Sequence, residues 1–361
     1  MRHAITIADE KNEKMNIAQR MEFYKTSAVS IAIINDGKLA WAKGYGSISF
    51  DSQDKKVDTR TLFQAGSISK SITAMGALLL VQQGKLSLDK DVNNYLKSWK
   101  VPENEFTKIE KVTLRRLLSH SAGTSVSGFP GYPVPDYIPT TVEILKGEKP
   151  SANTDPVQVI QIPGKNFSYS GGGTTIVQLL IEDVTGEKFD TWMHKNILVP
   201  FGMTSSTFNQ ILSKEYSERA AWGHNETGKQ VCGKWHIHPE MAPAGLWTTP
   251  TDLAQFLITI LNILHGKQNG LINQELVKEA IKQQIVLDNE TNKVGLGFFL
   301  SGSEQNISFG HGGCNEGFLS NMKVYPEIGK GWVIMTNNHN AGELINEIEF
   351  SIADTYKIPG F

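Results

Sequence analysis

The chain of 361 residues lacks the features that mark several large classes of protein. It has two cysteines, Cys232 and Cys314, which are too few for a disulfide framework. No apolar run approaches the roughly 20 residues that cross a bilayer as a helix. The formal net charge is −2, which gives no electrostatic basis for binding nucleic acid or an anionic membrane. We therefore expect no nucleic-acid partner and no membrane span.

Signatures of cofactors and metals are also missing. The sequence has no P-loop and no glycine fingerprint for a dinucleotide. Its histidines at 224, 236 and 238 are not spaced with carboxylates or cysteines as zinc ligands would be. We expect no cofactor and no metal. Residues 1–10 have no long apolar core, so they do not read as a secretory signal. The protein is then either cytoplasmic, or periplasmic or secreted after removal of a signal. The oligomeric state stays open.

The pattern of apolar residues predicts an α+β fold. Strands are predicted at residues 27–35, 38–49, 294–300, 306–310, 318–325 and 331–336, with Asp36-Gly37 as a hairpin turn. Helices are predicted at residues 10–24, 67–84, 174–185, 250–264 and 341–356. This order favours one antiparallel sheet built from both chain termini and flanked by helices. We assign residues 1–84 and 286–361 to this sheet domain and residues 85–285 to an inserted, mostly helical domain, with the active site between them.

One serine–lysine pair has the spacing of a catalytic site. Ser67 and Lys70 stand three positions apart where a long apolar helix begins, so their side chains share a helix face. A serine hydroxyl needs a neighbouring base to become a nucleophile, and a neutral lysine can be that base. Three other Ser-x-x-Lys pairs, which begin at residues 52, 87 and 320, do not open a helix. Two further segments accompany this pair, namely Phe167-Ser168-Tyr169-Ser170-Gly171 and His311-Gly312-Gly313-Cys314.

In this order, the three segments resemble the serine β-lactamase and penicillin-binding-protein superfamily. Within it, the chain looks most like class C β-lactamases, D-alanyl-D-alanine peptidases and family VIII carboxylesterases. The resemblance extends over nearly the whole chain, through segments at residues 84–89, 114–123, 200–203 and 244–249. It implies that Ser67 is the nucleophile, Lys70 its partner and Tyr169 a second general acid/base. It also implies an oxyanion hole made by the backbone N–H groups of Ser67 and Cys314. Whether Lys70 or Tyr169 takes the serine proton stays open.

The resemblance places His311, Gly312, Gly313 and Gly171 at the substrate, and here the sequence departs from the family. Class C β-lactamases carry Tyr-x-Asn, where this chain has Gly171 as the third residue. They carry Lys-Thr-Gly, where this chain has His311-Gly312-Gly313. The side-chain amide, the permanent cation and the hydroxyl are missing. These losses favour esters or small acyl groups over β-lactams that bear a carboxylate.

Three other features receive an interpretation from sequence alone. Cys314 is interpreted as a small residue on a strand that lines the site, because no second motif supports a cysteine nucleophile. His120 is interpreted as structural. The proline-rich stretch at residues 128–139 is either the rim of the active site or a surface excursion.

The leading hypothesis is a serine hydrolase that works through an acyl-enzyme on Ser67, most simply a carboxylesterase with weak or no β-lactamase activity. A D-amino-acid peptidase and a class C-like β-lactamase are the alternatives within the same chemistry. From another class come a penicillin-binding receptor that stays acylated and a non-catalytic scaffold. The expected partner is a small-molecule ester, β-lactam or D-amino-acid peptide.

Overall fold

The computed structural model describes residues 5–7, 10–133, 137–267, 271–287, 292–302 and 306–359. Its strands are β1 (Ile5–Ile7), β2 (Glu10–Met15), β3 (Ala28–Asn35), β4 (Lys38–Gly46), β5 (Phe63–Gln64), β6 (Tyr132–Pro133), β7 (His236–Ile237), β8 (Trp247–Thr248), β9 (Ile285–Val286), β10 (Lys293–Val294), β11 (Phe299–Ser301), β12 (Ser308–Asn315), β13 (Phe318–Tyr325) and β14 (Lys330–Thr336). Its α-helices are α1 (Ile17–Phe23), α2 (Ser69–Gln82), α3 (Glu105–Ile109), α4 (Leu114–Leu118), α5 (Thr141–Lys146), α6 (Gly171–Thr185), α7 (Phe189–Met193), α8 (Lys214–Arg219), α9 (Met241–Ala244), α10 (Pro250–Leu264), α11 (Gln274–Ala280) and α12 (Gly342–Tyr356). Shorter helical turns are the 3-10 segments Gly66–Ile68 and Val92–Asn94 and the π-helical segment His194–Leu198.

Eight strands form one antiparallel sheet in the order β4-β3-β14-β13-β12-β11-β10-β9. The C-terminal strand β14 pairs with the N-terminal strand β3, so that Met335 lies opposite Ser30. Asp36 and Gly37 both have positive φ, 52° and 68°, as the two-residue turn between β3 and β4 requires. The predicted α+β fold, with an antiparallel sheet built from both chain termini and flanked by helices, is confirmed.

The two faces of the sheet are covered by different helices. Successive side chains of a strand point to opposite faces. Val29, Ile31 and Ile33 of β3 pack in a cluster with α1 and α12. Ala28 and Ala32 belong instead to a larger buried cluster that includes α2, α6 and α10. The helix that carries Lys70 therefore lies in the larger core, on the opposite face from the C-terminal helix.

The regular secondary structure between residues 85 and 285 consists mainly of helices, joined by long irregular segments. It contains α3 to α11, and its described strands β6, β7 and β8 are two residues long each. Its buried residues join those of the sheet in one continuous hydrophobic cluster. The domain boundaries at 84/85 and 285/286 stay predictions. None of the helices in the described part of the chain combines the length and the apolar character that a bilayer crossing requires.

The prediction of one helix at residues 10–24 is wrong. Glu10–Met15 form β2, antiparallel to β1, and the helix begins only at Ile17. The side chain of Asn16 accepts a hydrogen bond from the Gln19 N–H, while the Gln19 side chain accepts one from the Asn16 N–H. This reciprocal capping box satisfies N–H groups that have no partner within the helix. The cap fixes the start of the helix, whatever the spacing of apolar residues before it.

The strand predicted at residues 306–310 begins and ends later than predicted, because β12 runs from Ser308 to Asn315. The glycines do not stop this strand. They bring its backbone close to its neighbours: a Cβ at Gly310 would lie 2.0 Å from the Met322 carbonyl oxygen. The His-Gly-Gly-Cys segment is therefore part of a strand.

The strand predicted at residues 294–300 is interrupted, with β10 ending at Val294 and β11 starting at Phe299. Gly297, with φ +79°, makes the break possible. Its N–H donates to the Leu118 carbonyl at 2.8 Å, and its own carbonyl accepts from the Ser71 hydroxyl at 2.6 Å. These bonds connect the segment between β10 and β11 to α2 and to the end of α4. They take the place of the strand–strand hydrogen bonds that a continuous strand would make.

Candidate active site

Ser67 lies in the 3-10 turn that leads into α2, beside strand β12. The turn is close to the strand because Gly66 precedes Ser67: its φ is +52°, and a Cβ there would lie 2.5 Å from the Cys314 backbone nitrogen. A side chain at this position would therefore force the turn and the strand apart. Gly313 has the same effect from the strand, since its Cβ would lie 1.9 Å from the Ala65 carbonyl oxygen.

Lys70 follows on the first turn of α2, and its side chain reaches Ser67. It is 4% exposed, and its Nζ donates to the Ser67 Oγ at 2.9 Å and to the Pro243 carbonyl at 2.9 Å. The Pro243 carbonyl belongs to α9, which a second bond ties to α2, from the Thr73 hydroxyl to the Ala242 carbonyl at 3.1 Å. The predicted contact between Ser67 and Lys70 is present, and a backbone carbonyl helps to orient the lysine.

Ser69 is the other serine on this turn, and its hydroxyl is already bonded. The Ser69 Oγ donates to the Gly66 carbonyl at 2.6 Å and accepts from the Leu246 N–H at 3.0 Å. The residue is fully buried. Ser69 therefore holds the turn in shape, whereas the half-buried Ser67 has its hydroxyl at the cavity.

Tyr169 lies just before α6 and lines the same cavity as Ser67. Lys70 Nζ lies 5.0 Å from the centroid of the Tyr169 ring. The ring stacks on Phe299 with centroids 6.2 Å apart and planes 20° apart, and it lies 6.3 Å from His311. The centroid of the His120 ring is 4.3 Å from that of Tyr169. The structure thus brings the three predicted catalytic side chains together, with aromatic and imidazole rings fixing the tyrosine.

His311 lies on β12 near Lys70 and is electrically neutral. Its Nδ1 lies 2.5 Å from the Gly312 carbonyl, an acceptor, so this nitrogen carries the proton. Its Nε2 is buried and has no partner among the described residues. Burial, with the positive charge of Lys70, lowers the pKa of His311 to about 3. An imidazole with this pKa offers no positive charge to a substrate near neutral pH.

Gly171 begins α6, three residues earlier than the predicted start of this helix. A Cβ at this position would lie 2.9 Å from the ring of Phe129 and 3.2 Å from the Ser127 carbonyl oxygen. Phe129, which comes from the proline-rich stretch at residues 128–139, therefore fills the space beside Gly171. Residues 134–136 of that stretch lie outside the described residues. Among the described residues, Gly171 does not line the cavity that contains Ser67.

The Cys314 side chain points away from the side of β12 that faces the Ser67 turn. Its neighbour Gly313 faces Ala65, and strand side chains alternate between faces. The Cys314 Sγ lies 3.8 Å from the His339 Nδ1 instead. Cys314 is exposed, yet partial desolvation by the surrounding protein and the nearby Glu316 carboxylate raise the pKa of its thiol, which disfavours the reactive thiolate. The backbone nitrogen of Cys314 adjoins Gly66, the residue before Ser67.

A cavity of about 520 Å³ opens in front of these groups. Its lining includes Ser67, Tyr169, Phe299, the segment from His311 to Cys314 and Ile345 of α12. A second cavity of about 660 Å³ lies near Glu182 and contains none of the three predicted catalytic residues. The smaller cavity is the candidate active site, because it alone of these two combines a nucleophile with groups for proton transfer.

Sequence reasoning missed two contacts that build this site. The Pro243 carbonyl binds Lys70, and no side-chain pattern signals a role for a backbone oxygen. Phe299 stacks on Tyr169, although its segment was predicted only as a strand. The family-like segment at residues 244–249 begins directly after Pro243, and it was the only sequence signal near the contact between Pro243 and Lys70.

The antiparallel sheet, with a Ser–Lys pair at the start of a buried helix, defines the β-lactamase and penicillin-binding-protein class of serine hydrolases. Residues 14–355 match the sequence model of the family described as Beta-lactamase, and the chain belongs to that family.

Relatives and solved structures agree with this family. Over 322 residues the chain is 25% identical to Protein flp of Staphylococcus aureus (strain N315), covering 85% of this chain and 59% of that protein. It is 24% identical to Penicillin-binding protein 4* of Bacillus subtilis (strain 168), covering 83% and 65%. The chain thus spans less than two thirds of the length of these relatives. Its fold is similar to the octameric penicillin-binding protein homologue from Pyrococcus abyssi, with TM-score 0.78, 25% identity and coverage of 94% and 76%.

Proposed function

We propose that this chain is a carboxylesterase that forms an acyl-enzyme on Ser67 and prefers esters with small acyl groups to β-lactams. The observation that supports acyl-enzyme chemistry is the 2.9 Å contact between Lys70 Nζ and Ser67 Oγ, with Tyr169 beside them. Ser67 is the nucleophile, and Lys70 and Tyr169 move protons. No metal or cofactor takes part in the proposed reaction.

The proposed reaction has two halves. The Ser67 Oγ attacks the ester carbonyl while its proton passes to Lys70 or Tyr169, and the N–H groups of Ser67 and Cys314 bind the oxyanion. The intermediate collapses as Tyr169 protonates the departing alkoxide, which leaves an ester on Ser67. Water then attacks this ester and gives a proton to Tyr169, and the residue that took the Ser67 proton returns one to the Ser67 Oγ as the acid leaves. Lys70, when it is neutral, is suited to the first proton transfer because its nitrogen already contacts the hydroxyl.

Two features support esters over carboxylate-bearing substrates. His311 is neutral, with its pKa lowered to about 3, at the position where related enzymes carry a lysine cation. Gly171 offers no side-chain amide, and Phe129 occupies the space where one would project. A β-lactam would therefore lose the charge pairing and the amide contact that usually hold its carboxylate and its side chain, whereas a small neutral ester needs neither.

A turnover panel tests the proposal. We expect kcat/KM for p-nitrophenyl acetate and butyrate to exceed that for nitrocefin and for a peptide ending in D-Ala-D-Ala. The control is Ser67→Ala, which removes only the nucleophile and should abolish all activity above background. A higher kcat/KM for nitrocefin or for the peptide would contradict the assignment as an esterase. If that activity also disappeared in Ser67→Ala, the acyl-enzyme mechanism would still stand.

A second candidate is a receptor that is acylated by penicillin and stays acylated. It is favoured by the likeness to proteins named as penicillin-binding. Labelled benzylpenicillin separates the two functions. An adduct that persists for hours, without ester turnover, supports the receptor. Rapid ester turnover, with little or short-lived penicillin adduct, supports the carboxylesterase.

A further inference from the structure

His120 holds the backbone on both sides of Tyr169. The Ser168 N–H donates to the His120 carbonyl at 2.7 Å, and the Ser170 N–H donates to the His120 Nδ1 at 3.3 Å. One histidine therefore binds the residue before the tyrosine and the residue after it. The two bonds leave little freedom for the backbone that carries the Tyr169 ring.

The ring of His120 also packs against the ring of Tyr169. The centroids are 4.3 Å apart, and the planes are tilted by 40°. Phe167 contacts the same imidazole edge-on, with centroids 6.2 Å apart. Phe299 stacks at 6.2 Å from Tyr169. The tyrosine ring is thus fixed by aromatic contacts as well as through its backbone.

The bond from Ser170 determines the protonation state of His120. Because Nδ1 accepts this hydrogen bond, it carries no proton, and a neutral ring has its proton on Nε2. Burial, together with the positive charge of Lys70, lowers the pKa of His120 well below its usual value. The imidazole therefore remains neutral, and its Nδ1 remains an acceptor for the Ser170 N–H.

The backbone of His120 has an unusual conformation for a residue with a side chain. Its φ is +54°, in the left-handed region, and the residue is 4% exposed. Such a conformation persists only where the surroundings hold it, and it is common at functional sites. The turn at His120 directs both its carbonyl and its ring at the segment that carries Tyr169.

From these contacts we propose that His120 is a positioning residue that acts through Tyr169. It orients the tyrosine for proton transfer through the two backbone bonds and the ring contact, and it does not itself touch substrate. This inference rests on the proposed function, since it concerns the same tyrosine. It also differs from the interpretation of His120 as merely structural, because it predicts an effect on catalysis that depends on Tyr169.

A second buried histidine provides the matched control. His224 is 1% exposed, and burial lowers its pKa as well. Its ring contacts the Ser49 hydroxyl at 3.3 Å and the Asn337 carbonyl at 3.3 Å. Its described bonds do not include residues 168–170. Replacing His224 removes a buried imidazole without removing a support of Tyr169.

The experiment measures the rate of acylation by p-nitrophenyl acetate in a series of variants, with thermal unfolding followed in parallel. His120→Asn places an amide oxygen near the position of Nδ1, and asparagine tolerates positive φ. We expect it to retain the rate within about threefold. His120→Gln carries its amide one bond farther, so it keeps bulk but loses the bond from Ser170. We expect His120→Gln and His120→Ala to be about 10- to 100-fold slower. His224→Ala should keep the acylation rate even where it lowers the unfolding temperature.

The decisive comparison is a double-mutant cycle with Tyr169→Phe. If His120 acts through the tyrosine hydroxyl, His120→Ala should slow the Tyr169→Phe enzyme by less than about twofold, because nothing remains to be positioned. The proposal would be overturned if His120→Ala lowered the acylation rate by the same factor with Tyr169 present and with Tyr169→Phe. It would also be overturned if the His120→Gln enzyme were acylated as fast as the His120→Asn enzyme. The His120→Asn and His120→Gln pair keeps the test decisive if His120→Ala does not fold.

Failure of the proposed function gives a different result. If no ester is hydrolysed, or if Tyr169→Phe acts like the unchanged protein, the carboxylesterase mechanism is wrong. The cycle is then measured as the rate at which a fluorophosphonate labels Ser67. The positioning role then requires two results. His120→Ala must slow the labelling of Ser67 in the otherwise unchanged protein, and it must not slow labelling in the Tyr169→Phe protein. Any other result refutes the positioning role as well.

Discussion

Gly313 sets how closely strand β12 approaches the turn that carries Ser67. A Cβ at this position would lie 1.9 Å from the Ala65 carbonyl oxygen and 2.7 Å from the Ser320 hydroxyl. Real Cβ atoms essentially never come within 3.0 Å of such a neighbour. In Gly313→Ala the new methyl group would overlap the Ala65 carbonyl oxygen. Because the surrounding backbone is closely packed, the strand and the turn must move apart by about 1 Å to relieve this overlap. This shift separates the two N–H groups proposed to bind the oxyanion.

The expected loss follows from that displacement. A misplacement of about 1 Å in a catalytic site lowers the rate by about 100-fold, or about 2.7 kcal/mol in the activation free energy. Overpacking should also lower the free energy of unfolding by about 1–3 kcal/mol. The assay is kcat/KM for p-nitrophenyl acetate at a temperature where each variant is folded.

Gly312→Ala is the matched control, one residue away on the same strand. A Cβ there would have the Ser320 carbonyl oxygen as its nearest atom, at 3.9 Å, which is an ordinary contact. Gly312 also lines the cavity, so this variant shows what added bulk at the substrate does without a backbone clash, and for the small p-nitrophenyl acetate we expect a change of less than about threefold. Equal activity in the Gly313→Ala and Gly312→Ala enzymes would refute the argument that the approach of β12 to Ser67 positions the oxyanion donors.

Further substitutions test the roles of single side chains. Ser67→Ala should lower kcat by about 10⁴-fold or more with an unchanged unfolding temperature, because the nucleophile is lost but no packing changes; near-normal turnover would remove Ser67 from the mechanism. Lys70→Ala should slow acylation most strongly, whereas Tyr169→Phe should slow acylation and deacylation, as measured by stopped flow; unchanged acylation in both would exclude them as proton carriers. His311→Lys should raise kcat/KM for nitrocefin relative to p-nitrophenyl butyrate by about fivefold, since a partly screened ion pair contributes about 1 kcal/mol. Equal changes for the two substrates would show that residue 311 does not respond to substrate charge.

The sheet and the Ser67–Lys70 pair could be predicted because their signals are local or periodic. Asp36-Gly37 specifies a tight turn by its own backbone preferences, and the apolar strands on either side of it specify the sheet. A serine and a lysine three residues apart on a helix lie on one face whatever surrounds them. The observed contact between Ser67 and Lys70 follows from that spacing.

Other features depend on contacts between distant segments and could not be predicted. The predicted strand ended at residue 310, whereas Gly313 lies within β12 and permits the close approach of Ala65, almost 250 residues earlier in the chain. The neutral state of His311 results from burial and from Lys70, which the sequence does not show to be its neighbour. His120 gave no catalytic signal, because the sequence does not show that its carbonyl and its ring contact the segment that carries Tyr169.

The central claim is that Ser67 forms the covalent intermediate, and trapping that intermediate tests it most directly. The protein is treated with a fluorophosphonate, digested and analysed by mass spectrometry, with Ser67→Ala as the control. The mechanism predicts one adduct, on Ser67, with none on Ser69 or Cys314 and no labelling of the Ser67→Ala protein. An adduct on another residue, or a folded protein that hydrolyses esters while Ser67 stays unlabelled, would contradict it.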